Sequence, residues 1–136
     1  TQRPSVDVLT GLIKANVPPT DFLVIGGDFN TDTRSEACIG ALGAVVTTAA
    51  PHPADQNGDG DTNAGRTKPY DWVLADDDLR PYQAAVTVGA ASYPDGLVLD
   101  TRVYAPLVDV APAMITDSAA PSMQHMGVIK AFTITE

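Results

Sequence analysis

Cysteine, long apolar runs and basic side chains are all scarce in this sequence. Cys38 is the one cysteine, which excludes an internal disulfide framework and a cysteine-rich zinc site. No uninterrupted apolar run approaches the ~20 residues with which an α-helix crosses a bilayer, so no membrane span is predicted. The 8 Lys and Arg residues against 17 Asp and Glu give a net charge of −9. Passive binding to nucleic acid needs many cations to neutralise phosphates and is therefore disfavoured.

What is present indicates one globular domain with two helices. The apolar share, 44% of 136 residues, is too high for a disordered chain. The first helix is predicted to open at Ser5, a favoured N-cap residue, and to end before Pro18. Its apolar residues recur at helical spacing: Val6, Leu9, Leu12 and Ile13. The second helix is predicted from Thr33 to Leu42, because Thr33 and Glu36 fit a capping box.

Short apolar runs predict four strands. Residues 22–25 are wholly apolar and predict a strand buried on both faces. Residues 70–74, 86–88 and 128–134 predict three more, and residues 51–69, rich in Pro, Asp, Asn and Gly, predict a long loop. Helices alternating with short strands indicate a layered α/β protein.

Two polar side chains, Asp28 and Asn30, follow the predicted strand at residues 22–25 after a pair of glycines. Alternation along an extended chain places both on one side and Phe29 on the other. This pair suits phosphoryl chemistry, because a carboxylate can orient and deprotonate water while a carboxamide donates to a phosphate oxygen. A glycine turn capped by an Asp-Asn pair explains the same residues without catalysis.

Asp71 and His125 are the other candidates for chemistry. Asp71 lies in an otherwise apolar strand, where an unpaired carboxylate is costly, so it needs a partner. His125 directly precedes the last predicted strand, and a buried carboxylate would hold its imidazole in one orientation. The alternatives are a structural hydrogen bond of Asp71 to backbone or to Lys68, and a histidine satisfied in the core. His52, in a proline-flanked loop, is interpreted as a surface residue.

Together these segments resemble the endonuclease/exonuclease/phosphatase superfamily, the DNase-I-like nucleases, sphingomyelinases and inositol-polyphosphate phosphatases. In that family a Gly-Asp-Phe/Leu-Asn turn is followed by a strand with Asp-Tyr/Trp, then a Ser-Asp-His element and a last strand. Asp28 and Asn30 match the first motif, Asp71 the second and His125 the terminal histidine. Residues 68–74 and 123–128 are most similar to bacterial secreted members, which implies an extracellular location.

The resemblance implies an α/β fold, specifically the C-terminal half of a four-layer α/β/β/α sandwich. It implies a metal-dependent phosphoesterase, foremost a nuclease that hydrolyses phosphodiester bonds by in-line attack of water. The implied catalytic residues are Asp28, Asn30, Asp71 and His125. The implied cofactor is Mg²⁺ or Mn²⁺, with Asp28 and Gln124 as metal ligands. Gln124 stands where the family has Asp, and a neutral amide attracts a hard cation less strongly.

The resemblance covers the whole chain but only about the second half of the family's domain. It implies that an N-terminal half, outside this chain, supplies a metal-binding glutamate, an asparagine and a second histidine, and that the isolated chain is inactive. The expected partners are that half and a nucleic acid or other phosphate-ester substrate. Two alternatives stay open: a sphingomyelinase-like or inositol-polyphosphate-like phosphatase, and a non-catalytic binding module of the same fold.

Oxygen-bearing side chains alternate within the predicted loop, as at the start of a calcium loop. They are Asp55, Asn57, Asp59 and Asp61. Gly60 stands at the sixth position, as such loops require, but Arg66 takes the twelfth, where a bidentate glutamate is usual. Ca²⁺ is therefore a second candidate cofactor, and a solvated acidic turn is the alternative.

Overall fold

The computed structural model describes residues 3–135, with side chains from residue 5 onward. Its two α-helices are α1 (Arg3–Asn16) and α2 (Ala37–Leu42), and short 3₁₀ helices cover Arg80–Tyr82 and Leu107–Val110. The strands are short: β1 (Val24–Asp28), β2 (Asp71–Ala75), β3 (Gln83–Ala84), β4 (Val86–Val88), β5 (Ala91–Tyr93), β6 (Leu97–Leu99), β7 (Gly127–Ile129) and β8 (Ala131–Phe132). Neither α-helix in this stretch has the length and apolar character needed to cross a membrane.

The strands pair antiparallel in four small sheets: β1 with β2, β3 with β8, β4 with β5, and β6 with β7. Mixed helices and strands confirm the predicted α/β class in its broad sense. The β1–β2 pair carries the candidate catalytic carboxylates, and β7 begins two residues after the candidate histidine.

Both predicted helices form, but their starts differ from the prediction. Helix α1 begins at Arg3, so Ser5 lies in its first turn and is not the N-cap. Helix α2 begins at Ala37, with Glu36 as its N-cap residue and no side-chain capping bond. The Glu36 carboxylate accepts the Thr33 N–H at 3.3 Å, which is one half of the predicted capping box. The Thr33 hydroxyl contacts Ser35 and does not cap the helix. The helix therefore begins further along the chain than predicted.

Contrary to the prediction, the first strand is not buried on both faces. It begins at Val24, and Val24 remains 46% exposed while Ile25 packs against the core. Ile25 is thus the one partly buried residue of β1, and the other four residues of the strand are exposed. The strand predicted at residues 128–134 is broken at Lys130, where pairing passes from β6 to β3. Strand β4 forms as predicted, and residues 51–69 hold neither helix nor strand.

The larger apolar core lies against β1 and β2 and is called the Trp72 core. Its buried members are Cys38, Ile39, Leu42, Val46, Trp72 and Leu74. Val6 of α1, Ile25 and Phe29 pack against it. Residues of α1 and α2 thus pack closely against the β1–β2 pair. This close packing supports the strand ends that carry Asp28 and Asp71. A smaller core of Val86, Leu97 and Tyr104 lies elsewhere.

Candidate active site

The last residue of β1 faces the first residue of β2. In the antiparallel register Asp28 lies opposite Asp71, and the Phe29 N–H extends the pairing by donating to the Tyr70 carbonyl at 2.7 Å. Opposed side chains in such a pair have Cβ atoms ~5 Å apart, and like charges at that distance repel. Two carboxylates therefore meet at one end of the ladder, an arrangement that favours a cation or a proton donor between them.

The imidazole of His125 lies between these two carboxylates. Its Nδ1 is 3.0 Å from Asp71 Oδ2, and its Nε2 is 3.7 Å from Asp28 Oδ2. A carboxylate can only accept a hydrogen bond, so Nδ1–H donates to Asp71. The half-buried ring also packs beside Tyr70, with ring centroids 5.7 Å apart. The predicted contact between Asp71 and His125 is confirmed, and Asp28 joins it.

Asn30 holds the carboxylate of Asp28. Its backbone N–H donates to Oδ1 at 2.8 Å and its side-chain Nδ2 donates to Oδ2 at 3.1 Å. Asn30 has a left-handed φ of 49°, a conformation that asparagine tolerates better than most residues. The amide was predicted to bind a phosphate oxygen. One of its two N–H groups is engaged by Asp28, and the second can make that contact.

Two buried threonines, which carry no sequence signal, tie the site's segments together. The Thr62 hydroxyl accepts the Asp71 N–H at 2.8 Å, and the Thr62 carbonyl accepts the Met126 N–H at 2.7 Å. Thr62 thereby links the strand that carries Asp71 to the segment that carries His125. The Thr31 hydroxyl, fully buried just after Asn30, accepts the indole N–H of Trp72 at 2.9 Å.

Lys68 lies at the rim of the site and does not pair with Asp71. Its ammonium group is 2.6 Å from the Asp32 carboxylate, and this hydrogen bond raises the pKa of Lys68. The same ammonium group lies 6.0 Å from the ring centroid of Tyr70, the residue that packs beside His125. The alternative in which Lys68 satisfies Asp71 is therefore wrong.

A metal ion could be held by the two carboxylates and the imidazole. Asp28, Asp71 and His125 each offer one ligand atom within 4.8 Å of the others, and no other group of three His, Cys, Asp or Glu residues does so in the described part of the chain. Gln124 is exposed next to His125, and its backbone carbonyl accepts the Ala64 N–H at 2.9 Å. Metal binding by the Gln124 side chain stays a prediction.

His52 is not the surface residue that its loop suggested. It is partly buried, and its ring makes an edge contact with Trp72 at a centroid distance of 5.4 Å. Burial, together with the nearby charges of Arg34 and Lys130, lowers the pKa of His52. His52 thus packs behind β2, beside the Trp72 core.

Three of the four residues of the candidate calcium loop, Asp55, Asp59 and Asp61, contact the guanidinium of Arg66. Asp55 Oδ1 accepts the N–H groups of Asn57 at 2.8 Å and Asp59 at 3.0 Å, and Asp59 Oδ1 accepts the Asp61 N–H at 2.8 Å. The guanidinium of Arg66 lies among them, 2.8 Å from Asp55 Oδ2. Calcium binding stays a prediction, and an ion bound here would have to displace this guanidinium.

Comparisons of the chain with protein-family models, with curated proteins and with solved structures found no match. The resemblance to the DNase-I-like superfamily therefore stays a prediction from the motifs, and the functional argument depends on the geometry around Asp28, Asp71 and His125.

Proposed function

We propose that this chain carries the catalytic residues of a metal-dependent phosphoesterase, foremost a nuclease that hydrolyses phosphodiester bonds. The observation that carries the proposal is the imidazole of His125 between the carboxylates of Asp28 and Asp71. The side chains of Asp28 and His125 are 38% and 33% exposed, so a substrate can reach both, whereas Asp71 is 17% exposed. This proximity supports the roles of a base for Asp28, a proton donor for His125 and a residue that orients the donor for Asp71.

Each residue has a role that its partners permit. Asp28, with both oxygens held by Asn30, orients the attacking water and accepts its proton. Asp71 receives the Nδ1–H of His125 and so turns Nε2 towards Asp28, beside which the phosphate would bind. Water attacks phosphorus in line, the bond to the leaving oxygen breaks, and His125 stabilises the charge or donates a proton to that oxygen. The remaining N–H of Asn30 contacts a phosphate oxygen.

The donor set suits a divalent cation such as Mg²⁺ or Mn²⁺. Carboxylate oxygens are preferred ligands of both ions, and Mn²⁺ also accepts imidazole. Asp28 would hold the ion, with the amide oxygen of Gln124 as a second and weaker ligand. A bound ion would polarise a phosphate oxygen and offset the negative charge that develops during hydrolysis.

The proposed partner is an N-terminal half that completes a four-layer α/β/β/α sandwich. Apolar side chains support this: Val8 and Leu12 of α1 are 63% and 57% exposed, and Val24 of β1 is 46% exposed. Within the described residues β1 pairs with β2 alone, so its other edge has no strand beside it. Uncovered sheet edges and apolar faces favour association. The isolated chain is accordingly expected to be inactive.

The test is turnover with Mg²⁺ or Mn²⁺ on DNA and on bis(p-nitrophenyl) phosphate, using the full-length protein that contains this chain. Asp28→Asn and His125→Asn should each lower turnover at least ~10²-fold, which is typical of losing a placed acid or base. Asp32→Asn is the matched control, because it removes an exposed carboxylate four residues from Asp28 that faces Lys68 instead of the histidine.

Three outcomes separate the alternatives. Wild-type turnover in a folded His125→Asn protein excludes the assigned role of that residue. Hydrolysis of sphingomyelin or an inositol polyphosphate, without hydrolysis of DNA, keeps the residue roles but replaces the nuclease by a phosphatase or phospholipase. Binding of Mn²⁺ without hydrolysis of any of these substrates indicates a binding module.

A further inference from the structure

Residues 55–68 form a loop that folds around one arginine. The Nη2 atom of Arg66 lies 2.8 Å from Asp55 Oδ2, 3.0 Å from the Asp59 carbonyl and 3.4 Å from Asp59 Oδ2, and its Nε donates to the Asp61 carbonyl at 2.7 Å. The Arg66 side chain is 12% exposed. Carboxylate and carbonyl oxygens that converge on one positive charge form the kind of shell that usually surrounds a hard cation. Here the cation is part of the chain.

Arg66 also joins this loop to the end of β6. Its Nη1 lies 2.8 Å from Oδ2 of Asp100, a residue that is 1% exposed. Arg102 contacts both oxygens of Asp100 and also donates to the Ala64 carbonyl at 3.1 Å. Asp55, Asp59, Arg66, Asp100 and Arg102 are together called the Arg66 cluster. The cluster holds the loop against the end of β6. Strand β6 pairs with β7, which begins two residues after His125.

The loop held in this way carries the residues that position the candidate site. Thr62 accepts the N–H groups of Asp71 and Met126, as described above. Asn63 forms an antiparallel bridge with His125, and the Ala64 N–H donates to the Gln124 carbonyl. Three consecutive loop residues therefore contact the backbone on both sides of the contact between Asp71 and His125. Displacement of the loop would change that distance.

We propose that Arg66 is a positioning residue that takes the place of a bound metal ion in this loop and thereby fixes His125 against Asp71. The catalytic meaning of that contact rests on the proposed function, whereas the positioning does not, because it concerns geometry that can be measured without turnover. A built-in cation also makes the loop independent of calcium. Arg66 has a left-handed φ of 53°, an unfavourable conformation for arginine that the surrounding contacts hold in place.

The experiment follows the imidazole by NMR in this chain, with the Nδ1 proton and both ring nitrogens of His125 as reporters. In Arg66→Met, which keeps length and loses charge, solvent exchange of the Nδ1 proton should accelerate at least ~10-fold, because local opening becomes easier. Arg66→Lys keeps the charge but loses the planar guanidinium, so its exchange rate should lie between those of the wild-type chain and Arg66→Met. Arg80→Met is the matched control, since that guanidinium pairs with Asp77 near the other end of β2.

The indole N–H signal of Trp72 reports in the same spectra whether the Trp72 core is intact. A folded Arg66→Met protein with unchanged His125 signals and exchange overturns the proposal. A second measurement needs no variant: titration of the wild-type chain with millimolar Ca²⁺ should leave the amide signals of residues 55–68 unmoved. Saturable, one-to-one shifts of those signals would show that Ca²⁺ displaces Arg66, and would also overturn it. If His125→Asn retains full turnover while Arg66→Met disturbs His125, the proposed function fails and this inference stands.

Discussion

The two clusters that hold the candidate site are built from opposite chemistry. The Trp72 core lies under the strands that carry Asp28 and Asp71, and its buried side chains are apolar. The Arg66 cluster lies under the segment that carries His125, and its buried side chains are charged, with Asp55 at 7% and Asp100 at 1% exposure. One half of the site thus depends on burial of apolar surface and the other on paired charges.

This difference determines how each cluster responds to change. Apolar packing has no direction and tolerates substitutions that preserve volume. A buried charge is tolerated only while its partners remain, and removal of one partner leaves the other uncompensated. The angle of His125 is therefore set by directional hydrogen bonds, while the base of the β1–β2 pair is set by shape and volume.

The largest expected effect is on the Arg66 cluster. Asp100→Ala should lower the free energy of unfolding by about 3–5 kcal/mol, because it leaves Arg66 and Arg102 beside a vacated buried position. Urea denaturation monitored by circular dichroism measures the change. Asp77→Ala, which removes an exposed carboxylate paired with Arg80, serves as the control and should leave the midpoint unmoved. Equal midpoints for the two variants would show that the buried carboxylate of Asp100 stabilises the fold no more than the exposed carboxylate of Asp77.

A single substitution in the Trp72 core should lower the free energy of unfolding somewhat less than Asp100→Ala does. Leu42→Ala should lower the free energy of unfolding by about 3 kcal/mol, since Leu42 is 2% exposed and its loss leaves a cavity. Leu42→Met, which conserves volume, should cost less than about 1.5 kcal/mol. The same denaturation experiment measures both. Unlike Asp100→Ala, neither variant should alter the dependence of stability on pH.

That dependence on pH is the third prediction. Burial alone would raise the pKa of Asp100, but hydrogen bonds from Arg102 and Arg66 outweigh it and lower the pKa from its ordinary value of 3.8 to about 2. Because the folded value lies below the unfolded one, the stabilisation is complete above pH 4 and is lost as the pH falls towards 2. The loss amounts to about 2 kcal/mol.

Asp100→Asn provides the matched comparison for this prediction, since it keeps the shape of the side chain and cannot lose a proton. Unfolding free energies at pH 4 and pH 2 should differ less in this variant than in the wild-type chain. An identical difference in both proteins would show that Asp100 does not contribute to acid sensitivity.

The smallest effect is expected at the rim. Lys68→Met removes an ion pair with Asp32 whose side chains are 40% and 66% exposed. Exposed pairs gain little in water and are screened by salt, so the unfolding midpoint should not change measurably. A clear loss of stability in thermal unfolding at physiological ionic strength would mean that Lys68 has a structural role beyond this contact.

Both helices and the strands β2 and β4 were predictable because their signals are local, whereas the short strands β3, β5 and β6 were not predicted. Helix α1 follows from apolar spacing, and β2 and β4 follow from short apolar runs. The other predictions failed where the structure depends on contacts between residues that are far apart in the sequence. Burial on one face of β1 depends on which helices cover the strand, and the break at Lys130 depends on the pairing of β7 with β6 and of β8 with β3. No property of the run at residues 128–134 indicates that change of partner.

The residues of the candidate site likewise divide into those that the sequence indicated and those that it did not. Asp28, Asn30, Asp71 and His125 stood out because polar residues next to apolar strands are unusual and match a known order of motifs. Thr62 did not stand out, since a threonine in a polar loop is ordinary. Arg66 left one signal, a basic residue at the twelfth position of a calcium-like loop. That signal indicates a departure from the calcium pattern, and it does not by itself identify Arg66 as the cation of the loop.

The sequence by itself determined which residues could do chemistry, because residue type and the neighbouring apolar runs are properties of short segments. The tertiary structure alone decided how they meet. Asp71 and His125 are 54 positions apart and come within 3.0 Å, and Arg66 bridges Asp55 and Asp100, which precede and follow it by 11 and 34 positions. Contacts at such separations depend on the packing of the whole chain, since no local propensity encodes the distance between two side chains on different elements.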